Sequence, residues 1–224
     1  MDPHRTRSNS AVRRSVSGEE FVAGDDPLLG GPVGAVRVVS LGIRCVSYGV
    51  GVPSSAPFVG RAVAEGIPAV PRRSGGSGLL HEPGDLAWSV VVDRADPRLA
   101  GGFHSAYAGL GRGVVRWLSD RGVEAAWRPA PGIAPTYCTL SERGWVLEAD
   151  GSIVGGAAQH AARGRLLHHG TISRRVDRPT IARLFGLPTP GPADRLGGLS
   201  ALGADDDLLL HELAEAIDRD LETA

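Results

Sequence analysis

Hydrophobic and polar positions change rhythm several times along this chain. β-Branched runs at Ala35–Leu41 and Arg44–Val50, separated by Gly42, predict two paired strands. Pro57–Glu65 predicts a short helix with Pro in its first turn and Gly66 as its stop. Ile67–Val70 and Leu86–Asp93 read as strands on either side of a glycine turn. Over Phe103–Arg121, Tyr107, Leu110, Val114, Trp117 and Leu118 recur with the period of a single helix that ends before Gly122. Strand-like pieces follow at Thr136–Leu140, Gly144–Ala149, Ser152–Val154 and Arg165–Ser173. Asp150-Gly151, between two of them, predicts a tight hairpin. Pro179–Phe185 predicts a short helix. Asp205–Leu221 predicts a final one, with acidic residues at its positive end and Leu209, Leu213, Ile217 and Leu221 on its buried face.

Strands, a long helix, more strands and then helices, without strict alternation, predict an α+β fold with a mixed, largely antiparallel sheet flanked by helices. Residues 1–33 are rich in Ser, Arg, Gly and Asp with little periodic apolar content, and read as a flexible N-terminal arm. Residues 34–224 read as one domain.

Composition narrows the chemistry. With 42% apolar residues in 224, the chain can bury a sizeable core, and its net charge of −1 gives no reason to expect nucleic acid or an anionic membrane as partner. No apolar run is long enough to span a bilayer and no signal-peptide core is visible, so the expected setting is cytoplasmic. Cys45 and Cys138 then read as reduced thiols rather than a disulfide. All 24 basic residues are arginine, so no amine is available as a tuned base or Schiff-base former. No Cys/His cluster has zinc-ligand spacing, and the tandem His168-His169 would point to opposite faces of a strand, so no metal site is expected.

Two segments carry chemistry. Arg72-Arg73-Ser74-Gly75-Gly76-Ser77-Gly78-Leu79-Leu80-His81-Glu82-Pro83-Gly84-Asp85 runs two guanidiniums into a glycine turn, where uncovered N–H groups and planar cations suit a carboxylate or phosphate. Gly151-Ser152-Ile153-Val154-Gly155-Gly156-Ala157-Ala158-Gln159 leads to Leu167-His168-His169-Gly170-Thr171. An ordinary glycine turn with solvated arginines would also explain Gly75–Gly78.

Together these segments resemble the biotin/lipoate protein ligase family, in its lipoate-protein ligase and octanoyltransferase branch. The first is similar to that family's Arg-Arg-x-Ser-Gly-Gly-Gly-x-x-x-His-Asp-x-Gly-Asn, with Ser77 for the third Gly, Glu82 for Asp and Asp85 for Asn. The second is similar to Gly-Lys-Lys-Ile-x-Gly-Ser-Ala-Gln followed by Leu-His-His-Gly-Thr, and Val46-Ser47-Tyr48-Gly49 resembles an early Val-Ser-Leu-Gly strand. The resemblance implies the family's catalytic-domain fold. It also implies an acyl- or adenylate-binding role for Arg72, Arg73, Ser74, Gly75, Gly76, Ser77, Gly78 and His81, and for Gly155, Gly156, Ala157, His168, His169 and Gly170.

One departure stands out. Ser152 occupies the place of the family's hairpin lysine, whose task is to stabilise developing negative charge with a fixed cation. Arg163 and Arg165 on the following turn are the candidate replacements. Cys138 lies where the thioester-forming octanoyltransferases carry their nucleophile, with His160, His168 and Arg143 as candidate neighbours. A cysteine in an apolar strand is otherwise a small core residue.

Three functions follow from the resemblance. One is transfer of an octanoyl group from an acyl carrier protein, through Cys138, to a lysine of a lipoyl-domain or H-protein-like acceptor. Another is ATP-dependent lipoate ligation, with ATP and Mg as co-reactants. The third is a non-catalytic relative that binds a lipoyl or acyl group or a partner protein. None requires a tightly bound cofactor; lipoate or the octanoyl group is substrate.

Overall fold

A computed structural model describes residues 10–142, 144–203 and 206–223. The first nine residues of the expected arm, Arg143 as a neighbour of Cys138, and the Asp205 start of the last helix lie outside the described residues.

Among the described residues, ten strands form two sheets. The larger is built from β1 (Ser10–Val16), β2 (Val36–Leu41), β6 (Leu86–Asp93), β7 (Ala125–Pro129), β8 (Trp145–Ala149), β9 (Ser152–Ala162) and β10 (Arg165–Ile172), in the spatial order β1-β2-β6-β10-β9-β8-β7. Only β1 and β2 run parallel in it. The smaller holds β3 (Cys45–Gly49) between β4 (Ala69–Arg72), which is parallel, and β5 (Gly78–His81), which is antiparallel. Helices α1 (Gly18–Ala23), α2 (Asp25–Gly30), α3 (Pro57–Ala64), α4 (Phe103–Leu110), α5 (Arg112–Ser119), α6 (Arg178–Phe185) and α7 (Asp206–Glu222) cover the sheets. The expected α+β architecture is what the chain adopts.

Alternation along the central strands assigns the two faces of the large sheet. Val36, Val38, Trp88, Val90 and Val92 point to one side, where Leu110, Val114, Trp117 and Leu118 of α4 and α5 and Leu209, Leu213 and Ile217 of α7 bury them. Ala87 and Val91, one position out of phase, face α1 and α2 through Phe21 and Leu29. Burying a side chain such as Trp88 or Leu213 contributes about 1.5–3 kcal/mol, and both faces being covered explains why β6 reads as an almost unbroken apolar run. The small sheet packs with α3 and α6 around Val46, Leu80, Phe58, Leu184 and Phe185.

Several expectations are corrected. From Ser10 to Val33 the chain is not an arm: β1 adds a strand to the large sheet, and α1 opens with a capping box in which Ser17 and Glu20 exchange side-chain and backbone hydrogen bonds. β2 and β3 are not paired with each other; each finds partners distant in sequence. The helical stripe of Phe103–Arg121 is split into α4 and α5 at Gly111. There the Trp127 indole donates to the Gly111 carbonyl at 2.9 Å, and a Cβ on Gly111 would lie 2.2 Å from that indole nitrogen. Thr136–Leu140 is not a strand; Cys138–Leu140 forms a single 3-10 turn. The Asp150-Gly151 hairpin is present, with φ of +49° and +74° at the two turn residues, the combination a two-residue hairpin turn requires.

Candidate active site

The site lies between the two sheets, where β4, β5, β9, β10, the 138–140 turn and the N-terminal helix α1 converge. They line a cleft whose walls include Phe21, Ser47, Arg72, His81, Cys138, Thr139, Trp145, Ala157 and His169.

Arg72 ends β4 pointing inward and is 5% exposed. Its Nη2 donates to the carbonyls of Gly75 at 3.0 Å and Ser77 at 2.9 Å, and lies 3.4 Å from Cys138 Sγ. Its Nη1 donates to Ser47 Oγ at 3.2 Å, and that hydroxyl is hydrogen-bonded to His81 Nε2 at 2.7 Å. Burial, reinforced by the Arg72 charge and by His169, lowers His81 to about 3, so the ring is neutral. Gly76 sits at the crossing point with φ +93°, and a Cβ there would lie 2.7 Å from Cys138 Sγ and 2.8 Å from Arg72 Nη2. Only a glycine leaves the sulfur and the guanidinium room to meet.

A second polar chain lines the opposite wall. His169 Nε2 is 2.7 Å from Ser74 Oγ, and its Nδ1 is 2.9 Å from Asp25 Oδ2. The other oxygen of Asp25 accepts from Ser89 Oγ at 3.0 Å and Arg37 Nη2 at 3.2 Å. Burial alone would raise the Asp25 carboxyl, but His169, Arg37 and Ser89 outweigh it and hold the group below its ordinary range. Phe21 stacks on His169 and meets His81 edge-on, closing the space between the two imidazoles.

These positions sort the residues singled out from sequence. Arg72, His81, Cys138, Gly156, Ala157, His169 and Gly170 line the cleft. Ser74 is buried behind His169, while Gly75 and Ser77 hold Arg72 through their carbonyls. Gly78 instead lies under Phe58 and Phe185, where a Cβ would meet both rings at 2.5 Å, and Gly155 packs against the Thr171 carbonyl. Arg73 turns outward, 60% exposed at its side chain, and pairs with Asp26. His168, one residue from His169 on β10, points to the opposite face, against Trp88 at 4.9 Å and Tyr107. Burial lowers it to about 3, making it a neutral core imidazole.

The candidates for the missing lysine do not meet the cleft. Ser152 opens β9 beside Gly197, whose hypothetical Cβ would lie 2.6 Å from Ser152 Cβ, and is absent from the cleft wall. Arg165 donates to the Leu29 carbonyl at 3.1 Å and to that of Gly31, and Arg163 sits in the β9–β10 turn near Gly30. Among the cleft-lining residues, Arg72 is the cation in the position nearest Cys138. Cys45 is fully buried in β3, its thiol pushed up to about 12 by burial and by Asp85 and Glu82, and takes no part.

Sequence reasoning missed Phe21, Asp25, Ser47, Thr139 and Trp145 as site residues. Ser17-x-x-Glu20 was the available signal for the first two, because a capping box announces a helix where composition suggests none. Among the described residues there is no group of three metal-ligating side chains, and no helix is long and apolar enough to cross a membrane.

The chain is 33% identical over 141 residues to octanoyltransferase LipM of Symbiobacterium thermophilum, covering 59% of this chain and 50% of that protein. To octanoyltransferase LipM of Oceanobacillus iheyensis it is 30% identical over 128 residues, covering 56% and 46%. It thus spans about half the length of the curated relatives it matches. Among solved structures, lipoate-protein ligase A bound with ATP superposes with a TM-score of 0.74 at 18% identity, over 95% of this chain and 86% of that one. A bipartite lipoate protein ligase from Thermoplasma acidophilum gives 0.69 at 17% identity, over 95% and 84%. Both likenesses concern the fold. Residues 53–195, well over half the chain, match the model of the lipoyl protein ligase A/B catalytic domain, and the chain belongs to that family.

Proposed function

We propose that the protein transfers an octanoyl group from the thioester of an acyl carrier protein to a lysine of a lipoyl-domain or H-protein-like acceptor. The observation that carries this reading is Cys138 Sγ standing in the cleft 3.4 Å from the Arg72 guanidinium. A thiol is the side chain best suited to take an acyl group, and a fixed cation beside it stabilises negative charge gathered on the sulfur during exchange.

In this reading Cys138 sulfur attacks the donor carbonyl. A carbon–sulfur bond forms to the enzyme as the donor carbon–sulfur bond breaks, and the carrier thiol leaves with the proton that Cys138 gave up. The acceptor lysine amine then attacks the enzyme thioester. A carbon–nitrogen bond forms, the carbon–sulfur bond breaks, and Cys138 recovers the proton lost by the amine. The apolar part of the cleft, with Trp145 and Ala157, receives the acyl chain. Arg72, His81, Gly76, Gly156, His169 and Gly170 surround the reacting end. Ser74, Gly75 and Ser77 hold Arg72 and His169 in place.

ATP-dependent ligation has weaker support, because Ser152 is absent from the cleft wall and, among the described residues, Arg72 is the one arginine that lines it. The same absence favours the remaining alternative, a non-catalytic binder of a lipoyl or acyl group. Intact mass after incubation with octanoyl carrier protein separates the three. A gain of one octanoyl group, lost in Cys138→Ala, supports transfer. Pyrophosphate released from ATP with lipoate supports ligation. Lipoate binding without either supports the non-catalytic reading.

A further inference from the structure

Thr139 follows the candidate nucleophile directly and lines the same cleft. It is 6% exposed, yet its Oγ1 is buried with no hydrogen-bond partner. Its methyl faces β9, where a Cβ on Gly156 would lie 2.8 Å from Thr139 Cγ2. An unpaired buried hydroxyl is costly, and folded proteins rarely keep one without a use.

We propose that this hydroxyl is a catalytic donor to the acyl carbonyl oxygen, an inference that rests on the reading of Cys138 as the acyl acceptor. When the Cys138 sulfur adds to the thioester carbon, the carbonyl π electrons move onto oxygen and create an oxyanion. The Thr139 O–H donates a hydrogen bond to that oxygen and releases it as the carbonyl re-forms and the donor thiolate departs. No proton is transferred from Thr139. Arg72 stabilises the sulfur side of the same transition state, so the two groups divide between them the work that a hairpin lysine would do. A neutral hydroxyl suffices in this role, since a donor held beside the reacting carbon needs no reorganisation as charge develops.

The test compares Thr139→Val, which deletes the hydroxyl at nearly constant shape, with Thr139→Ser, which keeps it. With octanoyl carrier protein as donor, Thr139→Val is expected to slow Cys138 acylation about 100- to 1000-fold without changing the KM for the carrier. Thr139→Ser is expected to retain most of the rate. Thr139→Val is also expected to raise Tm by about 2–6 °C, because it removes an unsatisfied buried group. A Thr139→Val rate equal to the parent's, or a Thr139→Ser rate as low as that of Thr139→Val, overturns the inference while leaving Cys138 in its role. Failure of the parent protein to take up any octanoyl group overturns the Cys138 reading and this inference with it.

Discussion

Arg72 Nη2 lies 3.4 Å from Cys138 Sγ although 66 positions separate the two residues in sequence. Arg72 is held by the carbonyls of Gly75 and Ser77 and by Ser47, so its position is set before any ligand arrives. Preorganised charge is worth most when no donor has to move during the reaction. Arg72→Gln is therefore expected to slow acylation of Cys138 about 100- to 1000-fold. Arg72→Lys is expected to fall short of the parent as well, since an ammonium cannot fork between Ser47 and the loop carbonyls. Time-resolved intact mass with octanoyl carrier protein measures both.

Gly76 makes that meeting possible. Its φ of +93° and the 2.7 Å separation of a hypothetical Cβ from Cys138 Sγ act together, so Gly76→Ala pays twice. The backbone strain alone costs about 1–3 kcal/mol, visible as a lower urea midpoint. Displacement of the sulfur or the guanidinium should abolish acyl uptake even in the fraction that remains folded. Uptake at the parent's rate would show that the sulfur and Arg72 need not touch.

How far the sequence disclosed this arrangement depends on the range of the interaction that makes each part. Asp150-Gly151 was legible because a two-residue turn with positive φ leaves its mark in the residues themselves. The opposite pointing of His168 and His169 follows from strand alternation alone. Arg73 was misplaced because β4 is only four residues long and ends at Arg72, too short a run to reveal which side of the sheet each guanidinium takes. Phe21 and Asp25 were hidden for another reason. Their helices are six residues each, below the length at which periodicity speaks, and they are held by β6, β10 and Arg37 rather than by propensity. Cys138, which lines the cleft, was placed on a strand, because Tyr137 and Thr139 are β-formers and a single 3-10 turn has no sequence period.

Asp25 ties the N-terminal segment to the site through His169, Arg37 and Ser89. Removing it leaves the buried Arg37 without its counter-ion, and breaking a buried pair on one side typically costs about 3–5 kcal/mol. Asp25→Ala should therefore lower Tm markedly and loosen α2 in hydrogen exchange. The carboxyl lies below its ordinary range in the folded state, so its stabilisation is present above the unfolded value near 3.8 and fades as pH falls through the folded one. The gap in Tm between the parent and Asp25→Asn is expected to narrow in acid, below about pH 4. A gap independent of pH would mean that Asp25 does not carry the charge that His169 and Arg37 face.

Asp85 has the opposite sign. It is 1% exposed and its carboxylate accepts from the backbone N–H groups of Glu82 and Arg174, both at 2.9 Å. Burial, with Glu82 nearby, nevertheless raises it to about 7. A carboxyl raised on folding contributes its stability below the unfolded value near 3.8, and that contribution is lost as pH climbs through about 7. Asp85→Asn keeps one carbonyl acceptor but cannot ionise. Urea unfolding at pH 5 and pH 8 should show the parent losing at least about 1 kcal/mol relative to the variant across that interval. The neighbouring Arg44, paired with Glu82 at 2.9 Å and Asp177 at 3.1 Å, is common to both proteins and cancels from the comparison. A parent that gains stability over the variant as pH rises would place Asp85 among the ordinary ionised carboxylates, held by the two N–H groups against its burial.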